Sequence, residues 1–428
     1  MSRIKIYNSR ILPMTEDTSI IDGGVLTVED DRISYVGDGS DEPEGVQYDR
    51  EIDAKGNLVM PGFKNSHTHS GMTFLRSFAD DLPLDRWLNE AIFPREARLQ
   101  DDDIYWCTKL AIMEYLTSGV TACFDMYLRP YEIARASEEC GFRMVQTGSM
   151  NNFSQSLELQ EEWYNELNGK NPLTSYLFGY HAEYTCSKEL LEGLARLADR
   201  YKAPVWGHNS ETENEVKGCL ERYGLTPTEF ADSLGLFAYG GGGYHCVYLS
   251  DNDIEIFKKR GLHIVTNPGS NTKLASGIAP ISKYMRAGID IAIGTDGPAS
   301  NNCLDMFREM FLVTGLAKLH DMDASSVDAN EVLKMATAGG ARAMGLDDCD
   351  CLAKGKAADL IILDLDKPEM QPLNNISKNV VYSGSKADVK LTMVAGRVLY
   401  EDGRFSLGED PDRIKKEVSR VIERMRDI

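Results

Sequence analysis

No run of about 18 apolar residues occurs in this chain, so no segment reads as a membrane span. The first residues, MSRIKIYNSRILPM, lack the apolar core of a secretion signal. No CxxC pair occurs among the nine cysteines, and the closest two are Cys349 and Cys351. An odd number without a spacing framework reads as reduced thiols and a cytoplasmic location. Cations are in deficit, with 46 Lys+Arg against 67 Asp+Glu and a net charge of −21. No basic patch breaks that acidity, so nucleic acid and anionic membrane surfaces are repelled. A small-molecule ligand is the partner this leaves, with homo-oligomerisation open. No GxGxxG follows the first candidate strand, which disfavours an open dinucleotide-binding sheet. Histidine is scarce as well, at seven residues, and where those seven fall matters.

What is present suits a large α/β protein. At 428 residues with 42% hydrophobic content, the chain can bury one large core and a smaller one. Its two ends read as short strands with polar turns. KIYNSRILPM and GGVLTVEDDRISYVGDG, turning at Asp30-Asp31, open the chain. KAADLIILDL and KLTMVAGRVLYEDGRF, turning at Glu401-Asp402-Gly403, lie near its other end. These ends are expected to form one small β-sandwich domain together, from 1–58 and 346–428. The closing DPDRIKKEVSRVIERMRDI is an amphipathic helix with Ile414, Val418, Val421, Ile422 and Met425 on one face, packed on its own domain.

Between the ends, apolar runs alternate with helical stretches. The runs are NLVMPGF, GVTACFDM, FRMVQTGSM, SYLFGYH, APVWGHNSE, LFAYGGGGYHC, GLHIVTNP and DIAIGTDG. Asp101 and Ser187 are expected to cap two of the helices. Eight strand-helix units predict a TIM-like (β/α)8 barrel over 59–345. Such barrels carry function at the C-terminal ends of their strands. Five histidines fall there: His67 and His69 after strand one, His181 after four, His208 after five and His245 after six. His263 and His320 fall elsewhere and read as structural.

In the extended HxH of PGFKNSHTHSGM, His67 and His69 point the same way and can meet one ion. His208 opens HNSE, and Asp296 in GTDG adds an oxygen ligand. Three nitrogens and one oxygen leave a position for water, as a catalytic site requires. Zinc suits this set, with ferrous iron the other candidate. A divalent ion lowers the pKa of its water to near neutrality. Glu211, three residues after His208, is the candidate general acid-base. His245 can orient the attacking oxygen and stabilise charge. No lysine follows strand four until Lys188, so no second metal bridged by a modified lysine is expected. Gly240 to Gly243 read as backbone room beside His245. Ser300, Asn301 and Asn302 read either as lining the mouth or as capping a turn.

PGFKNSHTHSGM, HNSE, the strand-six HC, GTDG and the late GKAADLIILD together resemble the amidohydrolase superfamily over nearly the whole chain. THSGMTFLRSFADDLPLDRWL, NPGSNTKLASGIAPI, GTDGPASNNCLDMF and MATAGGARAMGL are similar to the branch of 5′-methylthioadenosine/S-adenosylhomocysteine deaminases and chlorotriazine hydrolases. The resemblance implies a metal-dependent aminohydrolase releasing ammonia from an amino-substituted heteroaromatic ring. A 5′-modified adenosine is its first-choice substrate. Another aminopurine, a pterin or a triazine is the second choice, and cyclic-amide hydrolysis of the imidazolonepropionase type is the other reaction class. Glu96 of PREARL is implied at the ribose hydroxyls, His181 at the substrate and Trp87 near the purine. Two positions depart from the adenosine-type pattern. Gly148 stands where that branch tends to carry arginine, and Glu183 adds a carboxylate after strand four. Both are expected to change what the pocket recognises.

Overall fold

The computed structural model describes residues 2–15, 19–43, 45–83 and 86–426. Leu84 and Asp85 of the LDRWL motif, and the outermost residues of the two terminal segments, fall outside them. Eight parallel strands follow in order round a barrel: Phe63–Thr68, Val120–Asp125, Arg143–Thr147, Thr174–Ala182, Val205–Asn209, Gly241–His245, His263–Thr266 and Ile291–Ile293. Strands one and eight meet through Asp296 N donating to His67 O at 2.9 Å. The Asn65 side chain also bridges them, accepting from Thr295 N at 2.9 Å and donating to Thr295 Oγ1 at 2.8 Å. The seam of the barrel is thus tied beside two expected ligands. Within it Phe124, Trp206 and Tyr244 pack edge-on and stacked, 5.0 Å and 5.6 Å between centroids. Tyr244 in turn stacks on His67 at 3.8 Å, so a rigid aromatic layer supports that imidazole from below.

The chain ends build a nine-stranded mixed sheet around its own apolar cluster, which includes Ile6, Leu26, Val28, Val59, Leu360 and Met393. Leu58–Pro61 joins the two halves by pairing antiparallel with Leu360–Leu363. NLVMPGF therefore divides between two sheets. Gly62 N still donates to Asp359 O, while Phe63 N donates to Gly119 O, ahead of barrel strand two. A short apolar run reads alike for either sheet, which is why periodicity alone assigned all of it to the barrel. Both predicted turns are found: Asp30, Asp402 and Gly403 take left-handed φ values of 54°, 43° and 83°.

Two smaller expectations change. Asp101 is the first residue of helix Asp101–Thr117, and Gln100 caps it, its N–H bonded to Asp103 Oδ2 at 2.7 Å. Ser187 does cap its helix, accepting from Leu190 N at 3.2 Å. The last helix, Pro411–Met425, buries Ile414, Val418, Val421 and Met425 but leaves Ile422 exposed. It packs on helix Asp101–Thr117 of the barrel rather than on the terminal sheet, with Arg424 paired to Asp103. No helix of the described residues is long and apolar enough to cross a membrane.

One buried ion pair joins sheet and barrel. Arg143 on strand three donates from Nε and Nη2 to the two oxygens of Asp359, at 2.8 Å and 3.0 Å. Asp359 also accepts from Ala395 N at 2.8 Å. Burial would raise its carboxyl, but the Arg143 charge outweighs this and holds it below its ordinary value. A carboxyl depressed in the folded state adds stability above its unfolded pKa of about 3.9. That stability is lost as pH falls through the folded value. We expect Asp359→Asn to cost about 3–5 kcal/mol at neutral pH, because Arg143 is left as a buried charge. Urea unfolding of both proteins across the acid range checks it, and the difference between them must shrink on acidification.

Candidate metal centre and active-site cavity

The ends of strands one, four, five, six and eight bring four histidines, His69, His181, His208 and His245, and the carboxylates of Glu211 and Asp296 to one cavity of about 260 Å³, with His67 buried behind its lining. His67 is fully buried, and neither of its ring nitrogens has a hydrogen-bond partner. An orphaned imidazole of this kind is costly unless something binds it. The other rings are oriented from behind. His69 Nδ1 meets Met126 O, His208 Nδ1 meets His181 O at 2.6 Å, and His245 Nδ1 meets Asn271 Oδ1 at 2.8 Å. Each bond leaves Nε2 turned inward, the usual outer support of a metal-ligating histidine. His69 Nε2 lies 3.1 Å and His67 Nε2 3.7 Å from Asp296 Oδ1.

Electrostatics at His67, His208 and Asp296 agree with ligation. At His69 burial is outweighed by the bond to Asp296, which raises the imidazole to about 9, and a bound ion would displace that proton. Burial, then the neighbouring histidines, drive His67 and His208 well below their ordinary pKa, so both are neutral imidazoles able to donate to a metal. Burial would raise the Asp296 carboxyl, but its bond to His69 and the surrounding imidazoles hold it well below the carboxylate range. The donor atoms of His67, His69 and Asp296 lie within 4.8 Å of one another, as do those of His67, His208 and His245. Neutral nitrogen plus anionic oxygen, buried and mutually close, fits a divalent ion of the zinc or iron kind. This arrangement is a His/His/His/Asp metal site.

Strained backbone marks the strand ends. Ser210, His245 and Asp296 take left-handed φ values of 51°, 68° and 59°. Such conformations cost non-glycine residues about 1–3 kcal/mol each and persist where the surroundings over-determine them. At Asp296, the turn lets Gly297 N donate to Oδ1 at 2.7 Å.

Glu211 is buried beside the histidines. Its Oε1 accepts from Ser276 Oγ at 3.1 Å, and Oε2 lies 3.8 Å from His245 Nε2. Glu215 braces the turn, accepting from Ser210 N at 2.9 Å and Glu211 N at 2.7 Å. Burial and the adjacent Glu211 push the Glu215 carboxyl up to about 7. Glu96, His181 and Trp87 all line the same cavity, and burial raises the Glu96 carboxyl. Of the mouth candidates, Ser300 reaches the lining. Asn301 instead ties the loop by donating to Thr295 O, and Asn302 bonds Asp80 and Ser77. The glycine run serves the barrel wall: a Cβ on Gly242 would strike His263 O and the Trp206 ring.

Asn271, Ser276 and Glu215 were not singled out from sequence. Asn271 sits inside NPGSNTKLASG, and Glu215 lies four residues after Glu211 on the next helix. The expectation for Glu183 changes. Its side chain is buried against Arg222, paired through Arg222 Nε at 3.3 Å and through Nη2, and it does not line the cavity. Gly148 is likewise turned away. A Cβ there would meet the buried Gln160 side chain behind the strand, not the cavity.

The sequence pattern of the amidohydrolase family matches residues 58–399. The chain belongs to the amidohydrolase family. A 5-methylthioadenosine/S-adenosylhomocysteine deaminase of Pelotomaculum thermopropionicum is 39% identical over 98% of each chain. A 5′-deoxyadenosine deaminase of Methanopyrus kandleri is 38% identical, covering 94% of this amidohydrolase and 95% of its own chain. In structure, an adenosine deaminase from Xanthomonas campestris with bound zinc superposes with a TM-score of 0.95. It is 32% identical and covers 100% of this chain and 99% of its own.

Proposed function

We propose that this amidohydrolase is a zinc-dependent hydrolytic deaminase of 5′-modified adenosines, converting the 6-amino group to a carbonyl and releasing ammonia. The observation that carries this reading is the placement of Glu211. Its carboxylate is held at one oxygen by Ser276, and the other lies 3.8 Å from His245 beside the metal donors. The named activities of the relatives, the zinc of the Xanthomonas protein, and the shared lining by Glu96, His181 and Trp87 support it. His67, His69, His208 and Asp296 hold the ion, which when bound supplies Lewis acidity that makes water nucleophilic at neutral pH.

The side chains then do the proton work. Glu211 takes one proton of the attacking water and delivers it to the ring nitrogen beside C6, lowering the cost of breaking aromaticity. Asp296 takes the second proton and passes it to the amino group, which leaves as ammonia. His245, its tautomer fixed by Asn271, points Nε2 at the developing negative oxygen. Glu96 anchors the ribose hydroxyls, His181 meets the nucleoside and Trp87 covers the base.

An ammonia-coupled assay with zinc-loaded protein tests the proposal. Adenosine and its 5′-deoxy and 5′-methylthio derivatives are expected to release one equivalent of ammonia each. No ammonia from any adenosine, with turnover of a pterin, a triazine or a cyclic amide, would overturn it.

A further inference from the structure

The relatives' substrates differ most at the 5′ end of the nucleoside. S-Adenosylhomocysteine ends in an amino acid carrying a carboxylate and an ammonium. The 5′-methylthio and 5′-deoxy compounds end in small apolar groups. The cavity's charged lining groups besides histidine are Glu96, Glu211 and Asp296, all acidic. Among the described residues no lysine or arginine lines it, and the chain's net charge is −21. The Arg95 guanidinium, on the helix that carries Phe93 and Glu96, lies over the Phe78 ring at 3.8 Å, and Arg95 is not part of the lining. With the ion held at the ring-binding end, a carboxylate at the mouth would meet no lysine or arginine of the described lining, while the acids deeper in the cavity repel it.

At the mouth the Asn151 amide is already engaged. Asn151 accepts from Phe153 N and Ser154 N at 3.0 Å and 2.9 Å. It donates to Ser149 O and Ser154 Oγ at 3.1 Å and 2.7 Å. That closed turn holds Phe153 out at the mouth, 64% exposed yet part of the lining. Its ring stands edge-on to Phe93, 5.5 Å between centroids. Phe93 is one helical turn before Glu96, the residue assigned to the ribose hydroxyls. An exposed aromatic fixed in this way has apolar surface to bury when a ligand arrives. Leu88, Ile92 and Leu128 complete an apolar wall on the same side.

We infer that Phe153 and Phe93 form the subsite for the 5′ substituent and make this enzyme selective for small uncharged apolar groups there, over amino-acid-bearing ones. The inference rests on the deaminase reading above and names the determinant of its specificity. The exposed Phe153 ring packs on a methylthio or methyl group and removes it from water. The same contact offers nothing to a zwitterion.

The test is kcat/KM of the zinc-loaded full-length protein for 5′-methylthioadenosine, 5′-deoxyadenosine, adenosine and S-adenosylhomocysteine. Wild type, Phe153→Ala and Phe153→Leu are compared. Wild type is expected to favour 5′-methylthioadenosine over S-adenosylhomocysteine by roughly tenfold or more, the discrimination a hydrophobic contact supports. Phe153→Ala should lower the 5′-methylthioadenosine to adenosine ratio about tenfold, and Phe153→Leu should restore most of it. Equal use of S-adenosylhomocysteine and 5′-methylthioadenosine, or a ratio that Phe153→Ala leaves in place, overturns the inference while the deaminase reading stands. Failure of all four nucleosides overturns both.

Discussion

Replacing Glu211 by glutamine is expected to lower kcat on a 5′-modified adenosine by about 10²–10⁴-fold while leaving bound zinc at one equivalent. The substitution keeps the size of the side chain and its contact with Ser276 Oγ, which can still donate to the amide oxygen. It removes the carboxylate that must accept a proton from water and return it to the ring. Glu211 is not among the donor atoms grouped round His67, so the ion should remain. Single-turnover rates with metal analysis of the same preparation check this. Turnover near the wild-type rate would remove Glu211 from the chemistry, whatever the metal content.

Asp296→Asn should lose activity at least as severely, and should lose metal too. Asp296 faces His67 and His69 from one oxygen and lies 3.9 Å from His245 Nε2 at the other. An amide is a weaker ligand, carries no charge to draw a cation, and cannot take the second proton of water. Loss of a single charge-stabilising group in an enzyme site typically costs about 10²–10³-fold, and here ligation is weakened as well. The pair of variants therefore separates two roles. Glu211→Gln should yield a loaded but inert enzyme, whereas Asp296→Asn should yield a protein with well under one equivalent of zinc that excess zinc only partly fills. If Asp296→Asn retains full zinc and near-normal turnover, the proposed ligand set is wrong.

Much of this was legible in the sequence because the barrel turns chain order into geometry. Ligands from strand ends meet at one face wherever the strands stand in the sequence. His67, His69, His208 and Asp296 could thus be grouped from three segments without a contact map. The supports behind them could not. Asn271 reaches His245 across 26 residues, Ser276 reaches Glu211 across 65, and Arg143 reaches Asp359 across 216. None of those contacts leaves a local spacing signal. Glu183 shows the same limit from the other side. Its position after strand four suggested the pocket, but its direction was decided by Arg222, 39 residues on. Gly148 reads as a missing cation in the sequence, while in the structure its missing Cβ faces Gln160 behind the barrel. The absence of lysine and arginine among the described lining residues is a property of the whole cavity and not of that one position.

The most direct measurement is a metal titration followed by ammonia release. Chelator-treated protein, assayed with 5′-deoxyadenosine, should be inactive. Activity should rise in proportion to added zinc and level off at one equivalent per chain, because one set of three imidazoles and one carboxylate holds one ion. Full ammonia release from metal-free protein, or no gain on adding zinc or ferrous iron, would contradict the account.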